Sequence, residues 1–464
     1  ANAAGAVTAS TAATIAQAGA IDAFATAVVF AIADTAATIA GSNDAALDEA
    51  TSVTATDAAT IAQANTIAGF ATSVTYSISD VAANIAAGAG LNEAVNITIT
   101  DDVTIAQATT IENATNSGSK SVATITDTAA AIAGSSNAVI ANAAGAVTAS
   151  TAATIAQAGA IDAFATAVVF AIADTAAAIA GSNDAALDEA TSVTATDAAT
   201  IAQANTIAGF ATSVTYSISD VAANIAAGAG LNEAVNITIT DDVTIAQATT
   251  IENATNSGSK SVATITDTAA AIAGSSNAVI ANAAGAVTAS TAATIAQANT
   301  IAGFATSVTY SISDVAANIA AGAGLNEAVN ITITDDVTIA QATTIENATN
   351  SGSKSVATIT DTAAAIAGSS NAVIANAAGA VTASTAATIA QANTIAGFAT
   401  SVTYSISDVA ANIAAGAGLN EAVNITITDD VTIAQATTIE NATNSGSKSV
   451  ATITDTAAAI AGSS

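Results

Sequence analysis

The chain of 464 residues contains no cysteine, histidine, methionine, tryptophan or proline. Its only basic residues occupy one repeated position, at Lys120, Lys260, Lys354 and Lys448, so arginine is absent as well. Without histidine, cysteine and arginine, most acid–base and nucleophilic catalysis has no side chain to use. We therefore expect that the chain is not an enzyme and that it has no catalytic residues.

The charge is strongly one-sided, with 36 acidic residues and a formal net charge of -32. Phosphate recognition depends on lysine and arginine, so we expect no binding to nucleic acid, and an anionic membrane surface would repel the chain. The apolar stretch 23–33 is bounded by Asp22 and Asp34 and is too short to span a bilayer, which takes about 20 residues.

The sequence contains no recognisable signal peptide, and it begins with Ala1, so we interpret it as a processed or excerpted piece of a longer protein. The lack of cysteine fits either redox compartment. A polar composition of Asp, Glu, Thr, Ser and Asn with almost no lysine is typical of salt-rich or divalent-rich surroundings. We expect an extracellular or cell-surface location.

One short phrase returns about 20 times along the chain: alternating β-branched residues, an Asp or Thr, and an Ala-rich stretch with an Ile. It reads V-T-A-T-D-A-A-T-I-A-Q-A from Val53 and V-N-I-T-I-T-D-D-V-T-I-A-Q-A from Val95, with a period close to 23 residues. Periods of about 20 to 29 residues are typical of solenoids. The prediction is a repeat solenoid in which each coil is a short β-strand plus a short helix or helical turn.

The coils are grouped into longer internal repeats, 1–140, 141–280, 281–374 and 375–464. The first two differ only at Thr38 and Ala178, and the third is 94 residues long instead of 140, a difference of 46 residues or two coils. A one-dimensional stack tolerates the loss of whole coils because each coil contacts only its neighbours. We therefore expect residues 1–464 to form a single continuous solenoid.

Within one coil, Val95, Ile97 and Ile99 alternate with polar residues, which is the period-two pattern of a half-buried strand. Asp101 follows as the expected N-cap of the helix, with Asp102 in the first helical turn. The alternative is a bundle of Ala-rich helices, because alanine has the highest helix propensity. The alternation of Thr with Val and Ile favours the solenoid.

Helical spacing then places Ile105, Ala108 and Ile111 on the inner face of the coil. Stacked helices prefer a separation of about 8–10 Å, which exceeds the strand spacing of about 4.8 Å. The helices are therefore expected to be short, staggered or partly 3₁₀.

Two groups of acidic residues are candidate calcium ligands, because Ca²⁺ prefers oxygen donors. One is the column of acids at successive strand ends, represented by Asp101 and Asp102, and the other is Asp44, Asp48 and Glu49. Neither matches a known calcium-loop motif. Helix capping is the structural alternative, and a paired-carboxylate hydrolase using Asp101 and Asp102 is a further one. We expect no other cofactor.

Outward strand positions carry hydroxyl residues at T-x-T spacing, such as Thr54 and Thr56, and Thr98 and Thr100. Aligned coils would place them in two parallel rows, an arrangement that resembles β-solenoid ice-binding proteins. The alternative is that they simply form the polar side of a strand. Asn96-Ile97-Thr98 and Asn113-Ala114-Thr115 also match the N-glycosylation acceptor pattern.

The phrases D-T-A-A-x-I-A and D-x-T-I-A-Q-A resemble repeat regions of very large bacterial surface and secreted proteins of the adhesin or filament type. The resemblance implies a stalk, spacer or fibre subunit. Neither end of the chain carries a capping sequence, and unpaired strand edges favour end-to-end addition. The predicted function is an extracellular fibre or surface-layer subunit that assembles with itself; the alternatives are a calcium-dependent adhesin stalk and an ice-binding module.

Overall fold

The computed structural model describes residues 5–463. Its strands are short and pair in parallel, and they recur along the chain in step with the sequence repeat. The strands are β1 (Val7–Thr8), β2 (Val28–Val29), β3 (Ile32–Asp34), β4 (Val53–Ala55), β5 (Val74–Thr75), β6 (Ile78–Asp80), β7 (Ile97–Val103), β8 (Lys120–Asp127), β9 (Val147–Ala149), β10 (Val168–Val169), β11 (Ile172–Asp174), β12 (Val193–Ala195), β13 (Val214–Thr215), β14 (Ile218–Asp220), β15 (Ile237–Val243), β16 (Lys260–Asp267), β17 (Val287–Ala289), β18 (Val308–Thr309), β19 (Ile312–Asp314), β20 (Ile331–Val337), β21 (Lys354–Asp361), β22 (Val381–Ala383), β23 (Val402–Thr403), β24 (Ile406–Asp408), β25 (Ile425–Val431) and β26 (Lys448–Ile453).

Short helices alternate with the strands. They are α1 (Ile15–Asp22), α2 (Ala36–Ala40), α3 (Ile61–Ile67), α4 (Ala89–Glu93), α5 (Ile105–Glu112), α6 (Ala129–Ala133), α7 (Asn137–Ala141), α8 (Ile155–Asp162), α9 (Ala176–Ala180), α10 (Ile201–Ile207), α11 (Ala229–Glu233), α12 (Ile245–Glu252), α13 (Ala269–Ala273), α14 (Asn277–Ala281), α15 (Ile295–Ile301), α16 (Ala323–Glu327), α17 (Ile339–Glu346), α18 (Ala363–Ala367), α19 (Asn371–Ala375), α20 (Ile389–Ile395), α21 (Ala417–Glu421), α22 (Ile433–Glu440) and α23 (Ala457–Gly462). Turns of 3₁₀ helix occur at Asp44–Ala46, Ala82–Asn84, Asp184–Ala186, Ala222–Asn224, Ala316–Asn318 and Ala410–Asn412.

This architecture is the repeat solenoid that the sequence predicts, and the helical-bundle alternative is wrong. Among the described residues the longest helices have eight residues, as in α5, and the coil that follows β6 uses the 3₁₀ turn Ala82–Asn84 instead. Short and partly 3₁₀ helices are the solution that we expected to the mismatch between helix and strand spacing.

The chain divides into two compact units. The first comprises the described residues up to Ser219 together with 228–236 and 255–258, and the second comprises 220–227, 237–254 and the described residues from Ser259 onward. In the first unit one parallel sheet has the order β10-β9-β8-β7-β6. In the second unit β19-β20-β21-β22-β23 form the corresponding sheet. Each unit therefore repeats the same coil-on-coil pairing.

The core of each coil is formed by the alternating strand residues and one face of the helix, as the sequence predicts. Ile97 and Ile99 of β7 and Ile111 of α5 are at most 1% exposed. Thr98 and Thr100, which lie between the apolar strand positions, are exposed. Burial of a side chain as large as Ile contributes about 1.5–3 kcal/mol, so this alternation fixes which face of the strand points inward.

A buried tyrosine closes the coil that contains α4. The Tyr76 hydroxyl donates a hydrogen bond of 2.8 Å to the Gly90 carbonyl, and Tyr76 is 2% exposed. Gly90 in turn approaches the backbone of the preceding coil, where its N–H donates to Asn65 Oδ1 at 3.1 Å. The strand, the helix and the neighbouring helix are thus fixed to one another at a single point.

Candidate functional site

The acidic residues at the strand ends are the candidate site, and the structure assigns them a different partner from the one that the sequence suggests. Asp101 lies inside β7 and does not cap its own helix. Its Oδ1 accepts a hydrogen bond of 2.6 Å from the Ala82 N–H, at the start of the 3₁₀ turn in the preceding coil. The prediction that Asp101 is the N-cap of the helix that follows it is therefore wrong, and Asp102 belongs to the strand.

The N-cap of that helix is Thr104. Its hydroxyl accepts from the Gln107 N–H, and the Gln107 side chain accepts from the Thr104 N–H, which together form a capping box. The signal is present in the sequence as T-x-x-Q, at Thr104 and Gln107 and again at Thr60 and Gln63. Because the threonine occupies the cap, the aspartate carboxylate remains available to a neighbouring coil.

Capping of the preceding coil is the general rule for these residues, which we call the strand-end carboxylates. Each accepts a hydrogen bond from the first N–H of the helix or 3₁₀ turn in the preceding coil, 19 to 22 residues earlier in the chain. In the first 140 residues the pairs are Ile15 with Asp34 (2.9 Å), Ala36 with Asp57 (2.6 Å), Ile61 with Asp80 (2.7 Å), Ala82 with Asp101 (2.6 Å) and Ile105 with Asp127 (2.9 Å). Thr151 performs the same role for Ala129 through its hydroxyl, at 3.0 Å.

Among the strand-end carboxylates, Asp80 and its repeat equivalents Asp220, Asp314 and Asp408 are the most enclosed. Asp80 is 8% exposed and accepts three hydrogen bonds, from the N–H groups of Ile61 and Val81 and from Asn84 Nδ2. Burial raises the pKa of Asp80, but the three hydrogen bonds lower it by more, so that the pKa lies below its ordinary value of 3.8. The charged form is therefore the form that the fold stabilises.

This direction of the pKa predicts acid sensitivity. A carboxylate whose folded pKa is lowered contributes stability above its unfolded pKa of about 3.9 and loses that contribution as the pH falls through the folded value. We expect the thermal unfolding midpoint, followed by circular dichroism in roughly 1 M salt, to fall once the pH drops below about 4. High salt is needed because protonation also relieves the repulsion within so acidic a chain, which acts in the opposite direction.

The chain supplies an internal control for the acid experiment. The Ala129 N–H is capped by the uncharged Thr151 hydroxyl, so its hydrogen-exchange protection should be lost later than that of the Ile61 N–H as the pH falls. Loss of protection at the same pH for both amides would contradict the assignment of the acid sensitivity to the strand-end carboxylates.

Asp102 also bonds to a neighbouring coil. Its Oδ1 accepts from the Thr124 hydroxyl at 2.7 Å, and the two residues are register partners across β7 and β8. The register between these strands shifts between Ile99 and Asp102: Thr98 pairs with Ser121 before the shift, and Asp102 pairs with Thr124 after it. Across this strand pair a hydroxyl therefore lies beside a hydroxyl at Thr98 and Ser121, whereas Thr124 lies beside Asp102 and not beside a threonine of the T-x-T pattern.

The second acidic group is not brought together as a ligand set. Asp44 accepts hydrogen bonds of 3.0 Å from both the Ala71 N–H and the Thr72 N–H, and its pKa is lowered mainly by the Thr72 N–H. Asp48 and Glu49 are exposed, and their side chains make no hydrogen bond among the described residues. Asp44 is therefore a capping group for a loop of another coil.

An uncharged residue does the work of Asp44 in other coils. Asn137 Oδ1 accepts from the Ala165 N–H at 2.9 Å, and Asn277 and Asn371 make the matching bonds to Ala305 and Ala399. The loop needs an acceptor there, and it does not need a charge. Residues 5–463 contain no group of three or more acidic, histidine or cysteine side chains placed to hold a metal ion. Calcium binding stays a prediction.

The repeated lysine is also bound within the fold. Lys120 Nζ donates to the Glu112 carbonyl at the end of α5 and lies 3.7 Å from Glu112 Oε2. The same Oε2 accepts from Asn142 Nδ2 of the next coil at 2.9 Å. A cation at a helix C-terminus is favourable for the helix dipole, so this lysine has a structural partner.

Comparisons with protein-family models, with curated proteins and with solved structures give no match for the chain. Within residues 5–463 none of the helices qualifies as a candidate membrane span.

Proposed function

We propose that the chain is a structural protein, a spacer or filament subunit located outside the cell, and that its partner is another copy of itself. The observation that carries this proposal is the repeated capping of one coil by the carboxylate of the next. Asp34, Asp80 and Asp127 are used in this way at distances of 2.7 to 2.9 Å. These carboxylates, which could be catalytic or metal-binding groups in another protein, hold neighbouring coils together here.

Self-association is supported by an exposed apolar coil face. Ile453 and Ile460 of the last described coil are 47% and 48% exposed. Their repeat equivalents Ile359 and Ile366 are 0% exposed, because α18 and β21 pack against the following coil. Within the chain the following coil therefore covers this face, and a second copy of the chain contains that same coil.

An extracellular location is supported by the composition. A net charge of -32 with four lysines keeps a repetitive chain soluble by self-repulsion, which added salt or divalent cations would screen. The absence of cysteine, methionine and tryptophan also removes the side chains that oxidise most readily.

The proposal is tested by negative-stain imaging and sedimentation of the purified chain over a range of concentrations. We expect particles that lengthen with concentration, and we expect Ile460→Asp to weaken that association at least about tenfold, because it places a charge on the face that a second copy would cover. Ala106→Asp is the matched control, since Ala106 is exposed on the outer side of α5 and should leave association unchanged. Compact particles at every concentration, or equal behaviour of both variants, would overturn the proposal.

A further inference from the structure

Two sequence patterns of each repeat match the N-glycosylation acceptor, and the structure treats them differently. The first is Asn96-Ile97-Thr98 and the second is Asn113-Ala114-Thr115. We propose that the second is a glycan attachment site and that the first is not. The attachment sites would be Asn113, Asn253, Asn347 and Asn441. This inference does not depend on the proposed role as a spacer.

Asn113 is placed as an acceptor needs to be. It is the C-cap of α5, its side chain is exposed, and no hydrogen bond to that side chain occurs in residues 5–463. The chain from 114 to 119 has no helix or strand, so an enzyme can bind it as an irregular segment. The equivalent asparagines in the other three copies are exposed as well.

The threonine of the second pattern is accessible in the same way as the asparagine. Thr115 is exposed, and its backbone N–H donates to Asn92 Oδ1 at 3.1 Å, while its hydroxyl makes no hydrogen bond in the described part of the chain. Ala114, between the two, is 7% exposed and anchors the segment to the core. The asparagine amide and the threonine hydroxyl are thus presented together on a fixed base.

Asn96 is held in the fold instead. Its Oδ1 accepts from the Ser119 N–H at 2.9 Å and from the Ser119 hydroxyl at 2.8 Å, both in the next coil. A Cβ on Gly118 would lie 2.5 Å from the same Oδ1, so the space around it is filled. The next residue, Ile97, begins β7 and is 0% exposed. Modification of Asn96 would require local unfolding of two coils.

The reaction needs an activated sugar, and the donor class is a glycosyl diphosphate, carried either on a nucleotide or on a lipid. Asn113 Nδ2 forms a bond to the anomeric carbon, the bond from that carbon to the diphosphate oxygen breaks, and Nδ2 loses one proton. The diphosphate leaves with the electron pair of the broken bond. No oxidant or reductant is involved.

Peptide mapping by mass spectrometry of the chain isolated from its source organism tests the proposal. We expect sugar on peptides that contain Asn113 and unmodified peptides at Asn96. The attached mass separates the two donors, because a nucleotide donor adds single sugars and a lipid carrier delivers an assembled oligosaccharide. Unmodified Asn113 in the source protein would overturn the proposal.

A second arm uses the folded, unglycosylated chain with a sequon-specific transferase and its donor. Asn113 should react at least about tenfold faster than Asn96, because Asn96 reacts only after local opening. Thr115→Ala should abolish the reaction while retaining Asn113, and denaturation should make both asparagines reactive. Equal rates in the folded chain would contradict the structural distinction.

Discussion

Replacing Asp80 with alanine is expected to lower the free energy of local unfolding by about 3 kcal/mol. The reason is that the carboxylate accepts three hydrogen bonds in a nearly closed site. Two backbone N–H groups, those of Ile61 and Val81, lose their acceptor, and Ile61 is 2% exposed. An unsatisfied buried donor costs more than the bond itself contributes, so the effect exceeds that of removing a surface charge.

The measurement is hydrogen exchange of the coils on either side of the substitution. A repeat array does not unfold as one unit, so a single global free energy would hide a local change. The peptide that carries Asp80→Ala differs in mass from the identical segments around Asp220, Asp314 and Asp408, which makes it separable.

Asp48→Ala is the matched control for this experiment. Asp48 is exposed, and its side chain makes no hydrogen bond among the described residues, so the change should stay within about 0.5 kcal/mol. If Asp48→Ala were as destabilising as Asp80→Ala, net charge and not capping would be the cause.

Gly90→Ala is expected to have an effect of similar size, about 3 kcal/mol, through steric overlap. A Cβ at Gly90 would lie 2.5 Å from the Asn65 nitrogen and 2.6 Å from the Ala64 carbonyl carbon. Both are backbone atoms of the preceding coil, so neither can move aside as a flexible side chain would. No described residue, glycine or other, has a φ in the left-handed region, so Gly90 is required for space and not for backbone conformation.

Gly159→Ala is the contrasting substitution. Gly159 lies within α8, and nothing lies within 4 Å of the position that its Cβ would take. Alanine there should stabilise the helix by about 0.5–1 kcal/mol, because glycine is a poor helix former. Hydrogen exchange of α8 and of the coil around Gly90 should therefore change in opposite directions, and destabilisation by both substitutions would contradict the steric argument.

Local sequence determines much of this fold, since alternation at Ile97 and Ile99 predicts the strand and its buried face, and helical spacing predicts the burial of Ala108 and Ile111. Those signals act within a few residues and are visible in any one repeat. The period then predicts that like coils are neighbours.

The partner of each carboxylate could not be predicted in the same way. A repeat places Asp101 near the helices of its own coil and of the coils on both sides, and only the structure shows that it bonds to Ala82 in the preceding coil. The capping box at Thr104 was a usable signal, because an occupied N-cap excludes Asp101 from that role. The register between β7 and β8, which pairs Thr98 with Ser121 and Asp102 with Thr124, has no comparable signal, so it required the structure.

Each helix is capped by a residue of the coil that follows it, and this has a consequence for how such a repeat can change in length. In the long repeat, the Ile155 N–H that begins α8 is capped by Asp174 at 2.9 Å. In the repeat that is two coils shorter, the Ile295 N–H that begins α15 is capped by Asp314 at 2.8 Å, although a different coil follows. A coil that ends its strand with aspartate can therefore follow either of these two coils and cap its helix. A change in length by whole coils, as between these two repeats, therefore keeps the capping contact between neighbouring coils.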